Sequence, residues 1–140
     1  MDLKKFDIYR TFDDPNIKGP IVEVDEMIAP IISLLNKKGY KTRYCCSGHC
    51  YECDDGEFRT FTYILFQDIL PKGITLPQGF SHTRTRKNKY DPKSRSLLEK
   101  ENIGDSDFSL LSNIFNTMRD LYGWAEQLPK NIKIIKNYGG

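Results

Sequence analysis

Apolar residues recur at helical spacing between Val24 and Leu35, where Val24, Met27, Ile28, Ile31, Ile32 and Leu35 fall on one face of a 3.6-residue repeat. Lys37 and Lys38 follow where cations suit a helix C-terminus, and Gly39 supplies the stop. Asp25 is a candidate cap. Pro30 has no amide proton to donate, however, so the helix either kinks in its opening turn or starts later, near Ala29. From Tyr40 the period changes to two, with Tyr40, Thr42 and Tyr44 facing one way and Lys41, Arg43 and Cys45 the other. This predicts a strand running into Cys46-Ser47-Gly48-His49. Phe58 to Phe66, rich in aromatic and β-branched residues, predicts a second strand, and the Asp55-Gly56 turn signal before it makes the two antiparallel neighbours.

Beyond Asp68, the spacing of Pro71, Gly73, Pro77 and Gly79 predicts an irregular connection before a short third strand, Phe80 to Arg86. Asn88 to Asn102 is polar and predicted to be mobile, with a short helix around Ser94 to Lys100. Phe108, Leu111, Phe115, Met118, Tyr122 and Ala125 then trace one face of a long helix, capped within Asp105 to Asp107 and ended by Pro129. Ile132 and Ile134 suggest a last strand. An early helix, central strands and a late helix predict an α+β fold, a two-layer sandwich in which two main helices cover one face of a mixed or antiparallel sheet. The length of 140 residues fits a single domain, 1–140, without internal repeats.

Composition narrows the class. Hydrophobic residues make up 39% of the chain, enough for a core and against general disorder. The longest apolar runs fall far short of the roughly 20 residues of a membrane helix, and no apolar stretch follows Met1 to Lys5 as in a secretory signal. A cytoplasmic protein with no membrane partner is expected. The net charge of +2 is too near balance to argue for non-specific nucleic-acid binding, so nucleic acid is the less favoured partner and any electrostatic attraction must be local.

Cys45-Cys46-Ser47-Gly48-His49-Cys50-Tyr51-Glu52-Cys53 holds all four cysteines and one of the two histidines. Three chemistries compete for it. Cys46 with His49 and Cys50 with Cys53 have the gaps of zinc ligands, but the paired-knuckle arrangement is absent, so no metal and no other cofactor is expected. His49 beside Cys46 is a candidate nucleophile pair. The third reading is a ligand cradle in which Gly48 admits close backbone approach, successive amides form an anion nest, and Ser47 and His49 add directional donors. The third strand favours the cradle, because His82, Arg84 and Arg86 alternate onto one face. From Arg84 to Arg95 there are six basic residues against one acid, Asp91, with Tyr90 available for stacking. The competing explanation is an edge strand protected by charge. Trp124 either closes a pocket or packs across the helix end.

The run Leu35-Asn36-Lys37-Lys38-Gly39-Tyr40-Lys41-Thr42-Arg43-Tyr44-Cys45-Cys46-Ser47-Gly48-His49, with Tyr63-Ile64-Leu65-Phe66 and Trp124-Ala125-Glu126-Gln127-Leu128-Pro129, resembles a group of small uncharacterised proteins of Gram-positive bacteria and their phages. The resemblance implies a shared fold and a site at Cys46 to His49. More distantly, Cys45-Cys46-Ser47-Gly48-His49 is similar to the Ser-Cys-Ser-Gly-Arg stretch of the wybutosine-synthesis methyltransferase family, which acts on transfer RNA. That similarity implies a loop near a nucleotide.

These readings converge on a small non-enzymatic binder of a phosphate-bearing, nucleotide-like ligand, held by Cys46, Ser47, Gly48 and His49 on one side and His82, Arg84 and Arg86 on the other. In a phage or prophage setting it would sequester a signalling nucleotide. One alternative is a nucleotide- or RNA-modifying enzyme using the Cys46 to His49 loop. Another is a zinc-stabilised module that binds a second protein.

Overall fold

Pro30 stands at the second position of the first helix, where a missing amide proton costs nothing because the first-turn amides have no intrahelical acceptor. The structure, a computed structural model, describes residues 3–7, 21–25, 27–48 and 58–131. Helix α1 spans Ala29–Lys37, the later of the two predicted starts, and buries Ile31, Ile32 and Leu35. Val24 belongs instead to a strand. β1 (Leu3–Asp7) and β2 (Ile21–Asp25) form a two-stranded antiparallel ladder that the periodicity does not predict.

The main sheet comprises β3 (Thr42–Cys46), β4 (Phe58–Phe66), β5 (Ser81–Arg84) and β6 (Ser96–Gly104), in spatial order β3-β4-β6-β5. Every neighbouring pair is antiparallel. Helix α2 (Asp107–Gln127) lies against β6 and β4, and α1 packs on α2 and β3, giving the α+β sandwich with helices on the sheet. Ser106 caps α2, its hydroxyl accepting the Ser109 amide at 3.1 Å. Gly104 permits the tight joint before it, since a Cβ there would lie 2.4 Å from the Leu110 nitrogen.

The core gathers Ile28 at the cap of α1 with Ile31, Ile32 and Leu35 within it, Ile64 and Phe66 from β4, Leu98 from β6, and Leu110, Ile114 and Leu121 from α2. Each such side chain contributes about 1.5–3 kcal/mol on burial, which makes this contact set the main source of stability. Among the described residues, no helix is long and apolar enough to cross a membrane.

Four expectations are corrected. Ser94 to Lys100 is not helical, because Ser96 onward pairs with both β4 and β5 and the ladder satisfies its backbone. Thr42 and Tyr44 do not share a face: the register slips between them, Thr42 opposing Phe66 and Tyr44 opposing Leu65. That bulge turns Thr42 inward at 6% exposure and Tyr44 outward at 61%. The third strand stops at Arg84 rather than Arg86. Helix α2 buries Met118 and Ala125 of its expected face but is rotated from the rest, burying Leu110, Ile114, Thr117, Leu121 and Trp124 while Phe108, Phe115 and Tyr122 stay exposed. The expected last strand at Ile132 and Ile134 lies outside the described residues.

Candidate functional site

The strand order sets β3 and β5 at opposite edges of the sheet. Three strand spacings separate them, about 14 Å at roughly 4.8 Å each. Cys46 ends β3 with Ser47 and Gly48 just beyond it, while His82 and Arg84 lie in β5 with Arg86 just beyond it. The structure therefore does not bring the two halves of the expected site together around one small ligand. His49, Cys50 and Cys53 lie outside the described residues.

The turn after β3 faces inward. Ser47 is fully buried, and its carbonyl accepts the Thr62 hydroxyl at 2.7 Å. Asn102 Nδ2 donates to Thr62 Oγ1 at 2.9 Å, and the Thr117 hydroxyl donates to Asn102 Oδ1 at 2.7 Å. This relay ties α2, β6 and β4 to the end of β3 and satisfies polar groups inside the sandwich. Gly48 has φ +108°, and a Cβ there would lie 2.8 Å from Thr60 Cγ2. Its amide donates to Cys46 Sγ at 3.3 Å, so that donor is engaged within the turn rather than offered to an anion. Cys45 and Cys46 are half-buried. Burial, and then the charges of Cys46 and Cys45, push the Tyr63 phenol above its ordinary range. Among the described residues, no cluster of three or more metal-ligating side chains occurs.

The β5 edge is the electropositive region. His82 pairs with Leu98, and Leu98 with Ile64, in one register row, so His82 and Arg84 lie on the helix-covered face at its margin. His82 Nε2 lies 2.7 Å from Ser96 Oγ, which also accepts the Leu70 amide at 2.8 Å. The imidazole is thereby oriented from below while the ring remains half-exposed. Arg84, Arg86, Lys87 and Lys89 are exposed, and none has a carboxylate partner among the described residues.

The nearby acids are already engaged. Arg95 donates through Nε and Nη2 to the two oxygens of Asp91, at 2.8 and 3.0 Å, and through Nη1 to the Gln67 carbonyl at 2.7 Å. Those bonds hold the Asp91 carboxyl below its usual range and raise the guanidinium in return. Lys93 pairs with Asp68. Arg95 itself is 5% exposed, so this member of the basic run is structural, and the i,i+4 spacing of Asp91 and Arg95 was its only sequence signal. Asn88 Oδ1 accepts the amides of Tyr90 and Asp91 at 2.8 and 2.9 Å, closing the loop as a built turn. Tyr90 stands 83% exposed, with Lys89 Nζ 5.0 Å from its ring centroid.

A cleft of about 310 Å³ lies elsewhere, lined by Tyr40, Lys72, Ile74, Thr75, Trp124 and Leu128 among others. Trp124 both packs across the end of α2 and closes this cleft, its indole N–H donating to the Thr75 carbonyl. The Tyr40 hydroxyl donates to the Pro129 carbonyl at 2.6 Å, and burial raises that phenol. Both polar tips are engaged, which leaves aromatic faces, the Thr75 hydroxyl, the Gln127 amide and Lys72 as the cleft's chemistry. Comparison of the chain with family models, curated proteins and solved structures finds no match.

Proposed function

We propose that this protein is a non-enzymatic binder of a phosphate-bearing, nucleotide-like ligand, with the phosphates on the β5 margin and the base on Tyr90. The observation that carries the reading is the imbalance of charge there. Arg84, Arg86, Lys87 and Lys89 lie within six residues without carboxylate partners among the described residues, while Asp91 and Asp68 are taken by Arg95 and Lys93. Closely spaced cations repel one another, and a bound polyanion relieves that repulsion. Planar guanidinium forks suit phosphate oxygens, the half-exposed His82 adds a third donor, and an exposed phenol ring flanked by a cation offers a stacking surface. The inward-facing Cys46-Ser47-Gly48 turn serves as scaffold in this reading. Under the phage or prophage setting implied by the resemblance, the binder acts in the host cytoplasm by sequestering a signalling nucleotide.

Calorimetric titration with a panel of nucleoside triphosphates and the matching nucleosides tests it. Arg84→Ala with Arg86→Ala is expected to lower triphosphate affinity at least tenfold, about 1.4 kcal/mol, with the fold intact, and binding weakens as salt rises. The nucleosides should bind wild type and variant alike. His49→Ala separates the two edges: a loss there with none on the arginine pair returns the site to β3. If the arginine pair serves only to protect the sheet edge, the double variant loses solubility and keeps its affinity.

A further inference from the structure

The solvent side of α2 carries a row of aromatics that the rest of the described chain leaves uncovered. Phe108 is 81% exposed, Phe115 55% and Tyr122 39%. They recur every seven residues, with the half-buried Leu111 on the flank nearer the core, where Met118 and Ala125 are already buried. A seven-residue repeat keeps an apolar seam aligned with a second helix over successive turns. Ser112 and Asn116 lie beside the row, and Arg119 is the sole cation in the helix sequence. Its contact with the adjacent Asp120 is loose at 3.7 Å. The acids Asp105 and Asp107 sit at the N-terminal end, both exposed.

We propose that two copies of this chain pair antiparallel along α2, Phe115 of each seated at Leu111 of the other and Phe108 packed over the turn between Phe115 and Tyr122 of the other. A two-fold axis then makes every contact twice, as in an isologous dimer. In this register Arg119 of each copy comes within reach of Asp107 and Asp105 of the second copy, so the one cation meets the acids at both ends of the seam. A parallel, in-register pair brings Arg119 against Arg119 and forgoes that contact.

The size of the seam fixes the strength of the association. The three aromatics expose roughly 350 Å² per copy, at about 200 Å² for a fully exposed ring, which matches the scale of functional surface patches. Two such faces bury well under the roughly 1,600 Å² of a standard stable interface. The dimer is therefore reversible, with a dissociation constant in the micromolar range.

Sedimentation velocity on the full chain from about 1 to 500 µM tests the pairing, which does not depend on the anion-binding reading. Wild type should shift from monomer to dimer across that range. Phe115→Glu should raise the dissociation constant at least tenfold, and Phe108→Ser, at the most exposed member of the row, at least threefold, both with unchanged circular dichroism. Arg119→Glu should weaken pairing at least threefold, and Asp105→Lys added to it should recover most of that loss. A wild type that stays monomeric to 500 µM overturns the proposal, as does a dimer indifferent to Phe115→Glu and Phe108→Ser. Occupation of this row by a different protein, with no self-association, overturns it equally.

Discussion

The ammonium of Lys38 lies 2.7 Å from the carbonyl oxygen of Leu128, so the residue that closes α1 also closes α2. It donates as well to the carbonyls of Ala125, at 2.9 Å, and Glu126. The last carbonyls of a helix have no intrahelical donor and carry the negative end of its dipole, which makes a single cation bound to three of them unusually effective. Lys38→Met should therefore destabilise the fold by about 1–2 kcal/mol, against a few tenths for the exposed Lys130→Met. Urea unfolding of both variants checks it, and equal effects would remove the capping role.

The buried relay from Thr117 through Asn102 and Thr62 to Ser47 should behave as a unit. Thr117→Val keeps the shape but leaves Asn102 Oδ1 without that donor, at a cost of about 1–3 kcal/mol. Thr62→Val breaks the same chain at its other end. A double-mutant cycle on the two should show a coupling energy of about 0.5 kcal/mol or more, whereas additive effects would mean that the links act separately.

At Gly48 two penalties coincide, the left-handed φ of +108° and the 2.8 Å approach of Thr60 Cγ2 to a Cβ. Gly48→Ala should lose at least about 2 kcal/mol. Thr60→Ser removes the clashing methyl and leaves the φ strain, so adding it should recover part of the loss. Thermal unfolding of the three variants decides the matter, and full stability of Gly48→Ala would show that the turn adopts another conformation.

Asp91 supplies a pH dependence with a definite sign. Its hydrogen bonds from Arg95 depress the folded carboxyl below its unfolded value, so the folded chain holds its proton less tightly than the unfolded chain. The stabilisation is complete above the unfolded carboxylate range, near pH 4, and disappears as pH falls through the folded value. Melting temperatures of wild type and Asp91→Asn should differ at pH 7 and converge at low pH. A difference that persists unchanged to pH 2 would assign the effect to something other than this carboxylate.

Local chemistry alone determined several features. The lost amide of Pro30 places the start of α1, the aromatic and β-branched run defines Phe58–Phe66, and Ser106 beside two aspartates opens α2, since each depends on groups within a few residues. Tertiary structure decided the rest. Helix α2 contains two apolar rows at helical spacing, and the contact with β6 and β4 selected Leu110, Ile114, Leu121 and Trp124 over the row of Phe108, Phe115 and Tyr122. Alternation along Tyr40 to Cys45 carries no mark of the bulge, because a bulge belongs to the pairing of two strands and not to one of them. The basic run from Arg84 to Arg95 was legible as charge, yet only folding assigned Arg95 and Lys93 to acids and left Arg84, Arg86, Lys87 and Lys89 exposed. The distance between the Cys46 turn and the His82 strand likewise follows from strand order, which hydrogen bonding across β4 and β6 sets over separations that no periodicity spans.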